Sequence, residues 1–253
     1  MPKDAPPNPG PEMIHREDQS RSPVYDALRK ADKAIREKNT LKALSVLSPH
    51  RTWVLKYEEA AQIRLRYARA AVQAKQAPSR AIALYARLME RFPDSVAARS
   101  ALQDVRVLLQ PPGWISFLEN TRLRLLPHRF SHVLEVQMAK AYYEGGQAKL
   151  AIGLLRHLHR LRKNSSVWHT ASDLLAQYLH EQEQYREEEL VLSRMIFPEF
   201  SGLGPPLTSS RLELRLSQIL CSHLSKIDQG TALLRRFNKR HPLSSLKDDA
   251  LWQ

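Results

Sequence analysis

Apolar residues recur at helical spacing through most of the chain. Ala81, Tyr85 and Leu88 follow steps of four and three, and a similar run on each side of Gly145-Gly146 does the same. No sustained alternation of apolar and polar residues bounded by hairpin turns occurs, so a β-sheet is not expected. The pattern predicts an all-α protein built from antiparallel helix pairs.

Breaks in this pattern divide the chain into helix pairs. We predict pairs at 24–48, 55–92, 95–124, 128–162, 165–197 and 208–240, with a further first helix from Ser244. Segments rich in Pro and Gly at 110–113 and 201–207 are the candidate hinges, and the second is either a hinge or a longer loop between two hairpins. The array is expected to span 24–253. It follows a Pro-rich leader at 1–23 that has too few apolar residues to fold and is predicted to be disordered.

A Pro-then-Ser phrase recurs between helices. Phe-Pro-Asp-Ser at 92–95 precedes Ala101-Leu102, His-Pro-Leu-Ser at 241–244 precedes Ala250-Leu251 at the same offset, and 197–201 is a weaker copy. Proline stops one helix, and the Ser or Asp that follows accepts hydrogen bonds from the free N–H groups of the next. The recurrence indicates a tandem array of helical hairpins.

Small and aromatic residues have a fixed spacing within these hairpins. The positions concerned are Ala81, Tyr85, Pro93, Ala139, Tyr142 and Ala151. Their spacing resembles the tetratricopeptide repeat (TPR) family, a helix-turn-helix unit of about 34 residues with small residues where its helices cross. Glu188 and Gly230 stand at the small position in two other pairs, which are expected to be irregular or tilted. The resemblance implies a TPR-like right-handed superhelix, an α-solenoid of antiparallel helix pairs.

The last residues carry a second resemblance. The phrase at 241–252 is similar to the P-x-S-x-x-x-D-D-A-L phrase of bacterial cell-envelope TPR proteins, including the N-terminal superhelical region of soluble lytic murein transglycosylases. An apolar helical face begins at Leu246 and continues to Trp252. Either Trp252 packs against the last pair or the chain is the N-terminal part of a longer polypeptide, and the need for a polar capping helix favours the latter. The resemblance implies that a catalytic glutamate would lie in a downstream domain.

The N-terminal residues and the envelope resemblance predict different cellular compartments. Residues 1–23 lack the apolar segment of a signal peptide, which taken as it stands predicts a cytoplasmic protein. The envelope resemblance implies a periplasmic or cell-envelope protein. No run of about 18 uncharged apolar residues occurs, so no membrane span is predicted.

Charge adds a class of partners. The formal net charge of +13 attracts polyanions such as nucleic acid, anionic lipid or a peptidoglycan-associated polymer. Arg156, Arg160 and Lys163 step by four and three, and so form a basic strip that either binds anions or is a solvated outer face. The acidic residues at 181–189 predict either internal ion pairs or a self-association contact, with solubility as the default explanation because exposed ion pairs contribute little stability.

Candidate chemistry is sparse. The chain has no Gly-x-Ser-x-Gly elbow, no phosphate-binding loop and no Cys and His spacing for zinc, and its single cysteine, Cys221, has the phase of a buried apolar residue. We therefore expect no catalytic residues, no metal and no cofactor, and we do not expect an enzyme.

The function predicted is a non-catalytic interaction or scaffolding solenoid that binds a partner protein or polymer in a concave groove. Polar residues beside the small positions of the first helices are candidate groove residues. They are Arg64, Gln137, Lys140 and Gln177. Two alternatives stay open: the superhelical domain of a truncated lytic transglycosylase, and a basic nucleic-acid-binding solenoid.

Overall fold

The computed structural model describes residues 23–51, 57–161, 166–196 and 209–240. Within these ranges the regular secondary structure is entirely helical. The α-helices are α1 (Pro23–Arg36), α2 (Thr40–Leu47), α3 (Tyr57–Gln73), α4 (Pro78–Arg91), α5 (Val96–Leu108), α6 (Pro111–Leu125), α7 (Phe130–Glu144), α8 (Ala148–Leu161), α9 (Ser166–Glu181), α10 (Tyr185–Ile196), α11 (Ser209–Ser222) and α12 (Ile227–Arg240). A 3₁₀ turn at Pro49–Arg51 follows α2.

Consecutive helices pack as hairpins in five of the six pairs that the sequence predicts. Within pairs α1 packs on α2, α3 on α4, α7 on α8, α9 on α10 and α11 on α12, and each second helix in turn contacts the next first helix in α2–α3, α4–α5, α8–α9 and α10–α11. First helices also contact one another directly in α1–α3, α3–α5 and α7–α9. The prediction of an all-α, TPR-like hairpin fold is confirmed.

The chain divides into two compact units, the first ending at Trp114 and the second beginning at Ile115. The division falls within α6, and residues 111–113 of the predicted linker supply the first turn of that helix. Proline is well suited there, since the first-turn N–H groups have no partner within the helix. The predicted hinge or loop at 201–207, the helix from Ser244 and all of the leader except Pro23 lie outside the described residues.

Small residues lie where the helices cross. Ala139 and Ala151 are completely buried between α7 and α8, and Ala81 and Tyr85 are buried in the first unit, as their TPR-like spacing predicts. An alanine at a crossing lets two helix backbones approach closely, so that neighbouring large side chains fill the remaining space. In the second unit these crossings join one continuous apolar cluster that includes Leu155, Trp168, Leu175, Leu192, Leu216 and Ile219.

The turns inside the hairpins share one backbone conformation. A residue with positive φ occupies the turn in five hairpins: Lys38 (56°), Lys75 (53°), Gly146 (77°), Glu183 (57°) and Ser225 (54°). In four of them the next N–H donates to a carbonyl five residues earlier, as in Gln147 to Tyr142 at 2.8 Å and Gln184 to Leu179 at 2.8 Å. This closure satisfies the last carbonyls of each first helix and reverses the chain. Lys38 and Lys75 are 37 residues apart, as are Gly146 and Glu183.

The Pro-then-Ser phrase at 92–95 acts as the sequence predicts. The Ser95 hydroxyl is buried, accepts a hydrogen bond from the Ala98 N–H at 3.0 Å and donates one to the Phe92 carbonyl at 2.7 Å. It therefore closes the end of α4 and starts α5 with a single side chain. The copies at 197–201 and 241–244 lie outside the described residues.

Candidate functional site

The first helices of the second unit bury most of their circumference and expose a narrow polar stripe. On α7 the buried residues include Phe130, Leu134, Val136 and Ala139, and half-buried Gln137 and Lys140 lie between them. The stripe continues to exposed Glu144, four residues beyond Lys140. Residues at this three-and-four spacing lie on one side of a helix, so the stripe runs along the helix axis.

The same position is polar in three successive first helices. Lys140, Gln177 and Gln218 each follow a completely buried small residue: Ala139, Ala176 and Ser217. Because α7 contacts α9, and the His223 ring just after α11 lies 5.8 Å from His180 on α9, these stripes lie side by side. We call this surface the first-helix face; its residues are Gln137, Lys140, Glu144, Asp173, Gln177, Glu181, Arg211, Gln218 and Ser222. Three of the four predicted groove residues lie on it.

Tyr143 joins two of the stripes. Its ring stacks on Tyr178 with centroids 3.6 Å apart, and its hydroxyl donates a hydrogen bond to the Glu181 carboxylate. Gln177 donates from Nε2 to the other oxygen of that carboxylate at 3.0 Å. The hydrogen bond from Tyr143 and then that from Gln177 lower the pKa of Glu181, so this end of the face carries a fixed negative charge.

A buried carboxylate, that of Glu188, lies beneath the first-helix face. Glu188, which replaces the usual small residue of α10, is completely buried, and its Oε1 accepts hydrogen bonds from Arg215 Nε at 2.8 Å and Nη2 at 2.5 Å. Its Oε2 lies 2.9 Å from Nδ1 of His180. A charge is tolerated at a helix crossing only when its oxygens are paired in this way. Glu188 thereby connects α9, α10 and α11.

Gly230 allows a close helix crossing because it has no side chain. It is buried in α12, and a Cβ at this position would lie 2.3 Å from Sγ of Cys221 and 3.0 Å from the Ser217 carbonyl oxygen. A side chain here therefore requires Cys221 to rotate or α11 and α12 to separate. The two departures from the TPR pattern, Glu188 and Gly230, both lie in hairpins whose helices pack closely.

In the first unit the corresponding stripe pairs within itself. Arg66 contacts Asp32 of α1 through Nε at 2.9 Å and Gln62 through Nη1 at 2.7 Å. Arg69 contacts Asp104 of α5 at 2.7 Å and 3.2 Å, and this hydrogen bond raises the pKa of Arg69. The side chains therefore link the first helices α1, α3 and α5 to one another.

The structure places the predicted groove residue Arg64 away from this stripe. Arg64 is two residues from both Gln62 and Arg66, and a step of two turns a helix by roughly 200°, so it points to the other side of α3. There it donates to the Ala60 carbonyl at 3.1 Å, and its guanidinium lies 4.8 Å from the centroid of the Phe92 ring. The residue directly after buried Ala68 is Arg69, and a step of three back from it reaches Arg66; the sequence analysis missed both.

The predicted basic strip is only partly a free surface. Arg156 contacts Glu187 through Nε at 2.6 Å and Nη2 at 2.5 Å, which raises its pKa, whereas Arg160 is exposed and Lys163 lies outside the described residues. Glu189 pairs with Lys226 at 2.7 Å and 2.8 Å. Of the two hypotheses for the acidic segment, these contacts support internal ion pairing.

Other chemistry is limited in the part of the chain that the structure describes. No group of three His, Cys, Asp or Glu side chains there is placed to hold a metal ion. Cys221 is half-buried beside Gly230. None of the described helices combines the length and the apolar character that a bilayer-spanning helix requires.

Comparisons with known proteins concern the repeat itself. Residues 62–95, which include Ala68, Ala81, Tyr85 and Pro93, match the tetratricopeptide repeat family. A crystal structure of nearly identical TPR-like repeats, from a Podosopora anserina protein classed as a kinesin light chain, aligns with 89% of this chain and 99% of its own at 14% identity and a TM-score of 0.37. A point variant of that same protein aligns with 87% and 95% at 13% identity and a TM-score of 0.36. No curated protein matches the sequence.

None of the matches described here is to a lytic transglycosylase, and the phrase at 241–252 lies outside the described residues. Residues 62–95 thus match the tetratricopeptide repeat family, and the hairpin packing of the described helices is TPR-like.

Proposed function

We propose that this chain is a non-catalytic interaction protein whose second unit binds an extended segment of a partner protein across α7, α9 and α11. The observation that carries the proposal is the recurrence of a polar residue at one position of three first helices that are otherwise largely buried. TPR repeats are in general protein-interaction modules, and stacked repeats commonly bind along one set of helices.

The second unit is favoured over the first because its polar groups remain available. On the first-helix face Gln137, Lys140 and Gln218 make no hydrogen bond or ion pair with other described residues, whereas Arg66 and Arg69 of the first unit are engaged with carboxylates. A ligand at the first unit would have to displace those bonds. At Gln137, Lys140 and Gln218 of the second unit a ligand would replace only water.

The side-chain types indicate what is recognised. A glutamine amide both donates and accepts, so Gln137, Gln177 and Gln218 can bond to the N–H and C=O groups of an extended backbone. Lys140 provides one cation and Glu181 one anion, and both signs on a single face disfavour a uniformly charged polymer. We therefore expect a peptide that carries an acidic residue opposite Lys140 and a basic residue toward Glu181.

The test is selection of displayed random peptides on the full chain, followed by affinity measurements on variants. Lys140→Glu should weaken the selected peptides by about tenfold or more, because a hydrogen bond to a charged group is worth about 1.5–3 kcal/mol. Lys149→Glu is the matched control, since it makes the same charge change at an exposed residue of α8. Peptides that bind both variants and the native chain equally well would refute the assignment of the face.

A further inference from the structure

The second helices of the second unit lie side by side, with α10 between α8 and α12. Glu187 of α10 pairs with Arg156 of α8, and Glu189 pairs with Lys226, the residue just before α12. Residues two apart point to opposite flanks of a helix, so the two ion pairs hold α10 from both sides. The remaining side of α10 carries Arg186, Leu190 and Arg194, all exposed and four residues apart.

These ion pairs leave an excess of cations facing outward. The three glutamates of α10 are all paired, α8 has no carboxylate, and Asp228 is the one acidic residue of α12. Six exposed cations of the three helices have no carboxylate partner among the described residues. They are Lys149, Arg160, Arg186, Arg194, Arg235 and Lys239, and we call the surface that they form the outer basic surface.

Exposed aliphatic side chains lie among these cations. Leu190 is 60% exposed between Arg186 and Arg194, and on α8 Leu150 is 58% and Leu161 48% exposed, next to Lys149 and Arg160. The phosphate backbone of a nucleic acid would neutralise the cations but would leave the leucines without a partner. No exposed Phe, Tyr or Trp side chain on the described α8, α10 and α12 offers a base-stacking platform either.

We propose that the outer basic surface binds the surface of a bilayer containing anionic lipid. Arginine and lysine contact negatively charged headgroups there, while short aliphatic side chains enter the boundary between headgroups and acyl chains. Each cation close to such a surface contributes about a fivefold gain in partitioning. This surface is distinct from the first-helix face, so the two proposals can fail separately.

The test is co-sedimentation of the full chain with phosphatidylcholine vesicles, with and without phosphatidylserine. Binding is expected only with phosphatidylserine. The triple variant Arg186→Gln, Arg194→Gln, Arg235→Gln should lower partitioning by about a hundredfold, from three fivefold steps. The triple variant Arg80→Gln, Arg91→Gln, Arg99→Gln is the matched control: it removes the same charge from exposed residues of the first unit and should bind vesicles as the native chain does. Far-UV circular dichroism checks that each variant is folded.

A second variant separates lipid from nucleic acid. Leu150→Ser with Leu190→Ser keeps every charge, and should weaken vesicle binding while leaving any binding to duplex DNA unchanged. The proposal is overturned if phosphatidylserine vesicles are not bound, if the triple variant binds them equally well, or if the serine variant retains full vesicle binding. Binding to duplex DNA that exceeds vesicle binding at the same salt concentration would assign the surface to nucleic acid instead.

Discussion

Gly230 offers a sharp test of the close packing in the last described hairpin. In Gly230→Ala the new methyl group would lie 2.3 Å from Cys221 Sγ and 3.0 Å from the Ser217 carbonyl oxygen, so α11 and α12 must separate or Cys221 must rotate. Overpacking of this kind costs about 1–3 kcal/mol. Replacing a helical glycine by alanine returns up to about 1 kcal/mol through helix propensity. We expect a net loss of about 1–2 kcal/mol.

A double-mutant cycle with Cys221→Ala isolates the contact. Without Sγ the nearest atom is the Ser217 carbonyl oxygen at 3.0 Å, which a small shift can accommodate. Gly230→Ala should then be nearly neutral, for a coupling free energy of about 1–2 kcal/mol between the two sites. Gly153→Ala is the control: it lies within α8, a Cβ there meets no atom within 4 Å, and it should stabilise the chain slightly.

The assay is urea unfolding followed by far-UV circular dichroism, with hydrogen exchange of peptides from 209–240 as the local measurement. The local measurement is needed because hairpin arrays can open one repeat at a time. Protection of α11 and α12 should fall in Gly230→Ala and recover in the double variant. An equal loss of stability in both backgrounds would refute the contact with Cys221 as the cause.

Three further predictions concern polar side chains in or beside the core. Glu188→Ala should lower the unfolding free energy in urea by about 3–5 kcal/mol, because it leaves Arg215 without its carboxylate. The double variant Glu188→Leu with Arg215→Met should lower it clearly less. Equal losses would exclude the ion pair as the reason. Burial and then the hydrogen bond to Glu119 raise the pKa of Tyr142 from 10.0 to about 12, so its stabilising effect is complete below pH 10 and is lost as pH rises through about 12. Tyr142→Phe should therefore reduce the decline in unfolding free energy over that range, and an unchanged decline would contradict the assignment. Ser95→Ala should lower the unfolding free energy by about 0.5–2 kcal/mol, and Ser95→Gly should lower it by less if capping is the main role.

Helix pairing and the small crossing residues could be predicted because both depend on local pattern. Breaks at Pro and Gly and the spacing of Ala139, Tyr142 and Ala151 are properties of neighbouring residues, and the packing follows from them. The pairing of Arg156 with Glu187 joins residues 31 positions apart, so it depends on the lateral register of two hairpins. The pattern of neighbouring residues along the chain does not determine that register, so the ion pair could not be predicted.

The candidate site was harder to predict for a related reason. A first helix is contacted on several sides, and sequence periodicity alone does not say which narrow polar stripe stays exposed. Gln137, Lys140 and Gln177 could be found because each lies within two residues of a buried alanine. Arg64 is polar for a different reason, since its guanidinium lies over the ring of Phe92. Likewise Glu188 belongs to a residue type that is usually exposed, and its burial depends on the ion pair with Arg215 in the following hairpin.

The left-handed residue in the turn fixes the length of the connection inside a hairpin. The connection between one hairpin and the next carries no such constraint. An insertion inside a hairpin would break the hydrogen bond that closes its turn, whereas one between hairpins disturbs no such closure. The spacing of 37 residues from Lys38 to Lys75 and from Gly146 to Glu183 exceeds the usual repeat of about 34 residues by about three. We therefore expect a residue inserted between two hairpins to be tolerated better than one inserted at a left-handed turn within a hairpin.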